Sequence, residues 1–377
     1  MAIPDIGDAE LSNLIACVTS GWLTTGKRNF EFESLLEEYL GAQEVICTDS
    51  CTSALHLSLV VSGIGNGDEV ITTPFTFAAT ANVIEHCGAQ PVFCDIDPQT
   101  YNIDCAQIEK KITRRTKAIL PVHFAGYPCN LARIYTLSRK HGLRVIEDAA
   151  HAMGSCIGEK KIGSFPGLTC FSFYATKNIT TGEGGCVALA NSGRARAIRT
   201  LRFHGINKDA WKRYTPGSPW KYDIVRAGYK NNMTDIVAAI GIAQIKRIEQ
   251  FHRIRRVIVE AYNEGLKECP GLVTPMVEPG VRHSWHLYVC RIKRRLFGMS
   301  RNQFIETMAA NNIGTGVHYW PLHLHSYYRK KYGLRRGDFP HAERAGDEVV
   351  SLPLYTTMTE DEISKVIHTV KDIQQRR

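Results

Sequence analysis

Between residues 45 and 190 short β-branched runs take turns with helical stretches. The runs are EVIC, DEVITT, QPVFCDI, KAILPVHF, LRVIEDAA, LTCFSFYA and GCVALA. A chain patterned this way folds neither as a helical bundle nor as a sandwich of hairpins; it builds α/β layers around a mostly parallel sheet. Several runs are apolar at successive positions rather than at every second one, which a strand needs only when both its faces are covered. The sheet is therefore expected at the centre of the molecule.

Beyond residue 190 the pattern changes. From Gly205 to Asn232 a long stretch carries Trp211, Tyr214, Pro216, Pro219, Trp220 and Tyr222 among Lys and Arg, too long and irregular for a plain connector, and reads as a functional loop or lid. Thr234 is then expected to cap an apolar helix (Ile236, Val237, Ala239, Ile240, Ala243, Ile245) that runs into the basic stretch KRIEQFHRIRR, itself read as a solvated helix face. A smaller C-terminal unit follows. Its signals are a strand at HLYVCRI, a helix opened by a capping box from Ser300 to Gln303, a strand at VHYW, and a last helix opened by Thr359 and Glu362. Ile363, Val366, Ile367, Val370 and Ile373 form the apolar stripe of that last helix. The division expected is a large domain over residues 1–250, including the loop at 205–232, and a small domain over 251–377.

Composition narrows the class. With 377 residues, 44% of them hydrophobic and 22% charged, the chain is neither disordered nor collagen-like, and it is long enough to bury a core without staples. Its net charge of +9 favours anionic ligands without choosing among them. No segment reaches the roughly 18 apolar residues of a membrane helix. The start, MAIPDIGDAE, holds acids and no base, unlike a signal peptide, so a cytoplasmic location is expected. The twelve cysteines are scattered without C-x-x-C and read as buried thiols.

Three stretches carry chemistry. In FSFYATKNITTGEGG (171–185) a strand ends near Lys177, and Gly182, Gly184 and Gly185 permit close backbone approach beside it. A lysine held there is partly desolvated, which favours the free amine and suits Schiff-base chemistry, although a lone lysine at a strand end is ordinarily a solvated charge. In LRVIEDAAHAMGS (143–155) a strand runs into Glu147 and Asp148. Both Asp148 and Lys177 then lie where open α/β sheets gather ligands, past the carboxyl ends of strands. A carboxylate there would keep a pyridine nitrogen protonated; the plain alternative is a cap for a helix at AAHAM. In TDSCTSALHLSLVVSG (48–63), Ser50, Thr52 and Ser53 open an apolar helix whose free N–H groups make a phosphate site, or simply a cap. No G-x-G-x-x-G and no G-K-[ST] occurs among Gly63, Gly65 and Gly67, so dinucleotide and P-loop readings lose their support.

Together GWLTTG, TSALHLSLVVSGIGNGDEVITTPFTFAATANVI, PVFCDIDPQTYNID, TKAILPVHFAGYPCN, VIEDAAHAMGS, SFYATKNITTGEGG and GYKNNMTD resemble the pyridoxal-phosphate-dependent sugar-nucleotide aminotransferases of the DegT/StrS family. The likeness continues through HSWHLYVCRI, GIGTGVHYWPLHLHSYY and SLPLY, and looks closest to the branch that makes UDP-4-amino-4-deoxy-L-arabinose. It implies an aspartate-aminotransferase-like fold (type I) with a central, mostly parallel seven-stranded sheet and a smaller C-terminal α+β domain. It also implies transfer of an amino group from L-glutamate to a keto group, C4 by that branch, of a UDP- or dTDP-linked sugar.

The resemblance implies roles as well. Lys177 matches the lysine that bonds to pyridoxal 5′-phosphate and later moves the proton, with pyridoxamine 5′-phosphate formed on the way. Asp148 matches the partner of the pyridine nitrogen, His151 a residue near the phenolic oxygen, and Phe77 an aromatic that stacks on the ring. Thr52, Ser53 and Ser172 match phosphate-binding positions. Asn232 matches an asparagine that reaches the other subunit's cofactor, implying a homodimer with shared sites; GYKNN leaves open whether Asn231 takes that place. Thr25, Gly26, His318 and Tyr319 fall in stretches that line the sugar-nucleotide pocket.

Competing readings are weaker. Phe77 alone is a core aromatic and His151 a satisfied histidine in most proteins. His318, His323 and His325 lack further ligands at metal-site spacing, and neither metal nor nucleic acid is expected. A related dehydratase uses histidine in place of the Schiff-base lysine, and a purely regulatory homologue has no need of Lys177, so an aminotransferase is the reading that uses every residue.

Overall fold

The seven β-branched runs become the seven strands of one sheet in a computed structural model that describes residues 3–207 and 221–375. They are β1 (Glu44–Thr48), β2 (Glu69–Thr72), β3 (Gln90–Phe93), β4 (Thr116–Ile119), β5 (Arg144–Asp148), β6 (Leu168–Ser172) and β7 (Gly185–Leu189). Their order across the sheet is β1-β7-β6-β5-β4-β2-β3. The pairs from β6 to β3 are parallel, and β7 runs antiparallel to both its neighbours. The connection from β6 to β7, residues 173–184, contains no helix to carry the chain back across the sheet face, which fits that reversal.

Alternation along each strand feeds two cores. Val45, Cys47, Ile71, Val145 and Phe171 point to one face and pack with Phe32, Leu36, Ile134 and Ile245. These come from α2 (Lys27–Leu40), α5 (Leu131–His141) and α7 (Asp235–Leu266). Ile46, Val70, Ile146, Cys170 and Val187 point to the other, against Leu55, Leu59, Ile84 and Ile198. Those belong to α3 (Cys51–Val61), α4 (Ala78–His86) and α6 (Ser192–Leu201). Each such buried side chain contributes about 1.5–3 kcal/mol, so the sheet is a rigid platform for whatever its strand ends carry. α1 (Asp8–Thr19) precedes it and packs on α7. The twelve cysteines are all unpaired and ten are buried.

The C-terminal unit is a three-stranded sheet, β8 (Leu272–Val273), β9 (Tyr288–Ile292) and β10 (Val349–Leu352), packed with α8 (Arg301–Ala310) and α9 (Glu360–Gln375). Both capping boxes form: Ser300 with Gln303, and Thr359 with Glu362. Helix α7 belongs to both units. Its first half packs on the large sheet through Ile242, Ile245 and Phe251, its second half on the small one through Ile258, Tyr262 and Leu266, and it passes position 250 without a break.

Four sequence expectations change. VHYW forms no strand; the ladder with β10 is a single bridge at Gly316 and Ser351, and Pro321, without an N–H, follows directly. Thr234 makes no side-chain cap for α7. Its neighbour Asp235 instead caps α2 from a distance, accepting the N–H groups of Gly26, Asn29 and Arg28 at 2.7, 3.0 and 3.2 Å. KRIEQFHRIRR is solvated only in part, because Ile248 and Phe251 turn into the large unit's core and His252 and Arg255 are buried as well. AAHAM is a turn, not a helix. Of the expected loop, Trp211, Tyr214, Pro216, Pro219 and Trp220 lie outside the described residues. Among the described residues no helix is long and apolar enough to cross a membrane.

Candidate active site

β5 ends at Asp148, and the turn after β6 brings Lys177 alongside; both side chains line one cavity of about 860 Å³. The cavity lies past the carboxyl ends of these strands, where a parallel sheet leaves a crevice. Ser172 closes β6, and the chain turns at Tyr174, whose carbonyl accepts the Lys177 N–H at 2.9 Å. The glycine turn that follows returns the chain as β7. Gly182 takes φ +81, and at Gly185 a Cβ would lie 2.4 Å from the Cys51 nitrogen. That contact seats the N-terminus of α3 against β7, at the edge of the same cavity.

Asp148 accepts the Thr80 hydroxyl at 2.7 Å on Oδ2 and the Ala150 N–H at 3.1 Å on Oδ1. Burial pushes its carboxyl up, while those two hydrogen bonds and Lys177 pull it down. The alternative reading of Asp148 as a cap thus survives only as the turn contact to Ala150. Burial lowers the Lys177 amine to about 8, with Cys51 and Asp148 opposing the shift, so at any given pH below that it carries more free base than an ordinary lysine. The Nζ lies 3.5 Å from His286 Nε2.

His151 is buried beside them. Its Nδ1 accepts the Ala125 N–H at 3.2 Å, which leaves the proton on Nε2, 3.2 Å from the Tyr319 hydroxyl. Burial holds His151 and His286 well below the usual histidine range, with Lys177 adding to the shift, so both are neutral donors and acceptors. His318, lowered by burial to about 4, bonds Ser351 through Nδ1 at 2.8 Å. Phe77 is 62% exposed, faces the cavity mouth and lies 6.2 Å from the Tyr319 ring, unlike a core aromatic.

At the N-terminus of α3, Ser50 is the cap, accepting the Ser53 N–H at 3.1 Å, and Thr52 faces the cavity with Ser172. Asn231 donates to Ser53 Oγ at 2.9 Å. The structure therefore brings Lys177, Asp148, His151, Phe77, Thr52, Ser172, His318 and Tyr319 together, with Ser53 just behind. It does not bring Thr25, Gly26 or Asn232 into the same chain's cavity. Asn232 donates instead to Thr25 Oγ1 at 2.6 Å, and Thr25 to the Met233 carbonyl at 2.6 Å, next to the Gly26–Asp235 bond.

Sequence reasoning missed Thr80 and His286. Thr80 stands in PFTFAAT, three residues past Phe77, and His286 in HSWHLYVCRI; only the tertiary fold aims them at Asp148 and Lys177. Arg255 was also missed. Its Nη1 bonds the carbonyls of Trp285 and Leu354 at 3.0 and 3.1 Å, fixing the segment that presents His286.

The DegT/DnrJ/EryC1/StrS aminotransferase family model matches residues 4–371. The chain belongs to this family. It is a pyridoxal-phosphate-dependent sugar aminotransferase of fold type I, as the sequence likeness implied. An uncharacterized protein of Methanocaldococcus jannaschii, MJ1066, is 50% identical over 370 residues, 98% of this chain and 96% of that one. The spore coat polysaccharide biosynthesis protein SpsC of Bacillus subtilis is 43% identical over 373 residues, 99% of this chain and 96% of its own. Among solved structures, the putative sugar aminotransferase Spr1654 of Streptococcus pneumoniae in its PMP-form is 34% identical. It superposes with a TM-score of 0.93 over 100% of this chain and 98% of that one. Its PLP-form superposes at 0.91 with 32% identity and the same coverage.

Proposed function

We propose that the aminotransferase moves an amino group from L-glutamate to a keto group, at C4, of a UDP- or dTDP-linked keto-sugar, releasing 2-oxoglutarate and an amino-sugar nucleotide. The observation that carries the reading is the pairing of Lys177 and Asp148 at adjacent strand ends in one cavity. A cavity of about 860 Å³ has room for a cofactor and a sugar together. The net charge of +9 suits a diphosphate, and the polysaccharide role in the name of SpsC suits a sugar building block.

The chain's residues fit the cofactor. The Thr52 and Ser172 hydroxyls, with Ser53 and the free N–H groups of α3, would hold its phosphate; Asp148 would face its ring nitrogen; Phe77 would lie on its ring. His151, whose Nε2 proton is fixed by the Ala125 bond, would donate to its phenolic oxygen. When bound, the cofactor supplies an electron sink for the carbon that loses its proton. The free amine of Lys177 would hold the cofactor's aldehyde and, once released by the incoming amino acid, would serve as the base that takes the proton from the substrate carbon and gives it back later in the transfer. Asp148 would keep the ring nitrogen protonated, and neutral His286, 3.5 Å from the lysine Nζ, would orient it.

The enzyme acts as a homodimer in this reading, with Asn232, Thr25 and Gly26 of one copy completing the site of the other. Their cluster lies apart from their own chain's cavity, as such an arrangement needs. The test is the visible spectrum of the purified protein. A yellow band that bleaches with L-glutamate while 2-oxoglutarate appears supports the reading, and a nucleotide keto-sugar should restore the colour. A protein that takes up no pyridoxal phosphate contradicts it.

A further inference from the structure

One buried anionic network lies behind this site and takes no part in the steps above. Glu147 precedes Asp148 on β5, so its side chain points to the opposite face of the sheet, away from the cavity. It is wholly buried. Tyr135 donates its hydroxyl to Glu147 Oε1 at 2.5 Å, and Oε2 lies 2.9 Å from His123 Nε2.

Backbone groups fix where each proton sits. The Gly167 N–H donates to the Tyr135 oxygen at 2.8 Å, leaving that hydroxyl's own proton for Glu147. The Cys129 N–H donates to His123 Nδ1 at 3.0 Å, so this nitrogen carries no proton and Nε2 does. Both oxygens of Glu147 therefore accept, and a proton on the carboxyl would find no acceptor. That is the pattern of a carboxylate, and among the described residues the one basic side chain within ion-pair distance is His123, which meets it through Nε2 while Nδ1 accepts the Cys129 N–H. An arrangement so costly in a protein interior calls for a reason. His123 also ties it to the site: its backbone N–H donates to the Asp148 carbonyl at 3.0 Å.

We propose that Glu147 is a positioning charge, a second negative charge set behind Asp148 that raises the site's preference for a cofactor whose ring nitrogen is protonated. It acts through the field and touches no reacting atom; the inference rests on the reading that Asp148 faces that nitrogen. Between neighbouring strand residues, with little water between them, a unit charge changes such a preference on the order of tenfold.

The test compares two ligands added to the cofactor-free protein: pyridoxal phosphate, and its 1-deaza analogue with C–H in place of the ring nitrogen. Wild type should bind pyridoxal phosphate more tightly than the analogue. In Glu147→Gln, which keeps the shape and loses the charge, that preference should shrink about 3- to 10-fold. In Tyr135→Phe, which loses a hydrogen bond and keeps the charge, it should stay within about twofold. Should Glu147→Gln not fold, the triple variant Glu147→Met, His123→Leu, Tyr135→Phe removes the charge with its donors and carries the same expectation. Equal weakening of both ligands in the charge-free variant would overturn the proposal and leave a structural role. No preference in wild type would instead overturn the assignment of Asp148.

Discussion

The floor and the wall of the cavity are built differently. The floor is Asp148, at the end of β5 in register with β6, and Lys177, in the turn after β6, whose N–H is held by the Tyr174 carbonyl. The wall, His286, His318 and Tyr319, comes from the small unit and is held by side chains: Arg255 on carbonyls, Ser351 on His318, Tyr319 on His151. The floor carries charge and the wall carries neutral donors and acceptors. Chemistry that moves protons should therefore depend steeply on the floor, and substrate orientation more gently on the wall.

Lys177→Ala attacks the floor most directly. It should lower turnover by about 10²- to 10⁴-fold while cofactor still binds non-covalently, read by steady-state rates beside retained absorbance. Near-normal turnover would remove the distinction between the regions. Asp148→Asn should follow, with a loss on the order of 10²-fold in kcat and a smaller change in cofactor affinity, since shape and the Thr80 contact remain.

The floor also sets a pH dependence. Because burial lowers the Lys177 amine to about 8, the free base grows as pH rises through 8 and is complete above it. The rate at which cofactor-free protein captures pyridoxal phosphate should be half-maximal near pH 8 and level off about one to two units higher, whereas an ordinary lysine would be half-maximal only near about 10.4. On the wall, Tyr319→Phe removes one hydrogen bond to neutral His151. A loss of about fivefold in kcat/KM with an unchanged pH profile is expected. A shifted profile would mean that the wall, too, carries a proton.

Asp235→Ala touches neither region. It should cost about 1 kcal/mol in denaturant unfolding by uncapping α2, the smallest effect in this series.

The floor was legible in the sequence because its logic is local: an apolar run ending in Asp148, another ending near Lys177, and glycines beside it. The seven strands were legible for the same reason. The wall was readable only through the family likeness at His318 and Tyr319, and His286 escaped because nothing in HSWHLYVCRI says which ring will meet Lys177. VHYW misled because it was read as a strand, while Pro321 and the bond between His318 and Ser351 held the segment over the cavity instead. Thr234 misled because the better acceptor, Asp235, serves a helix some 200 positions away in sequence. Thr25, Gly26 and Asn232 cluster apart from their own cavity, a separation no single-chain pattern could announce.

Borohydride reduction of the yellow protein followed by peptide mass mapping tests the floor directly. A phosphopyridoxyl group on the peptide holding position 177, absent after substitution of Asp148 only where the cofactor itself has been lost, is what the geometry requires. The same label on any other lysine, with position 177 unmodified in active protein, would contradict it.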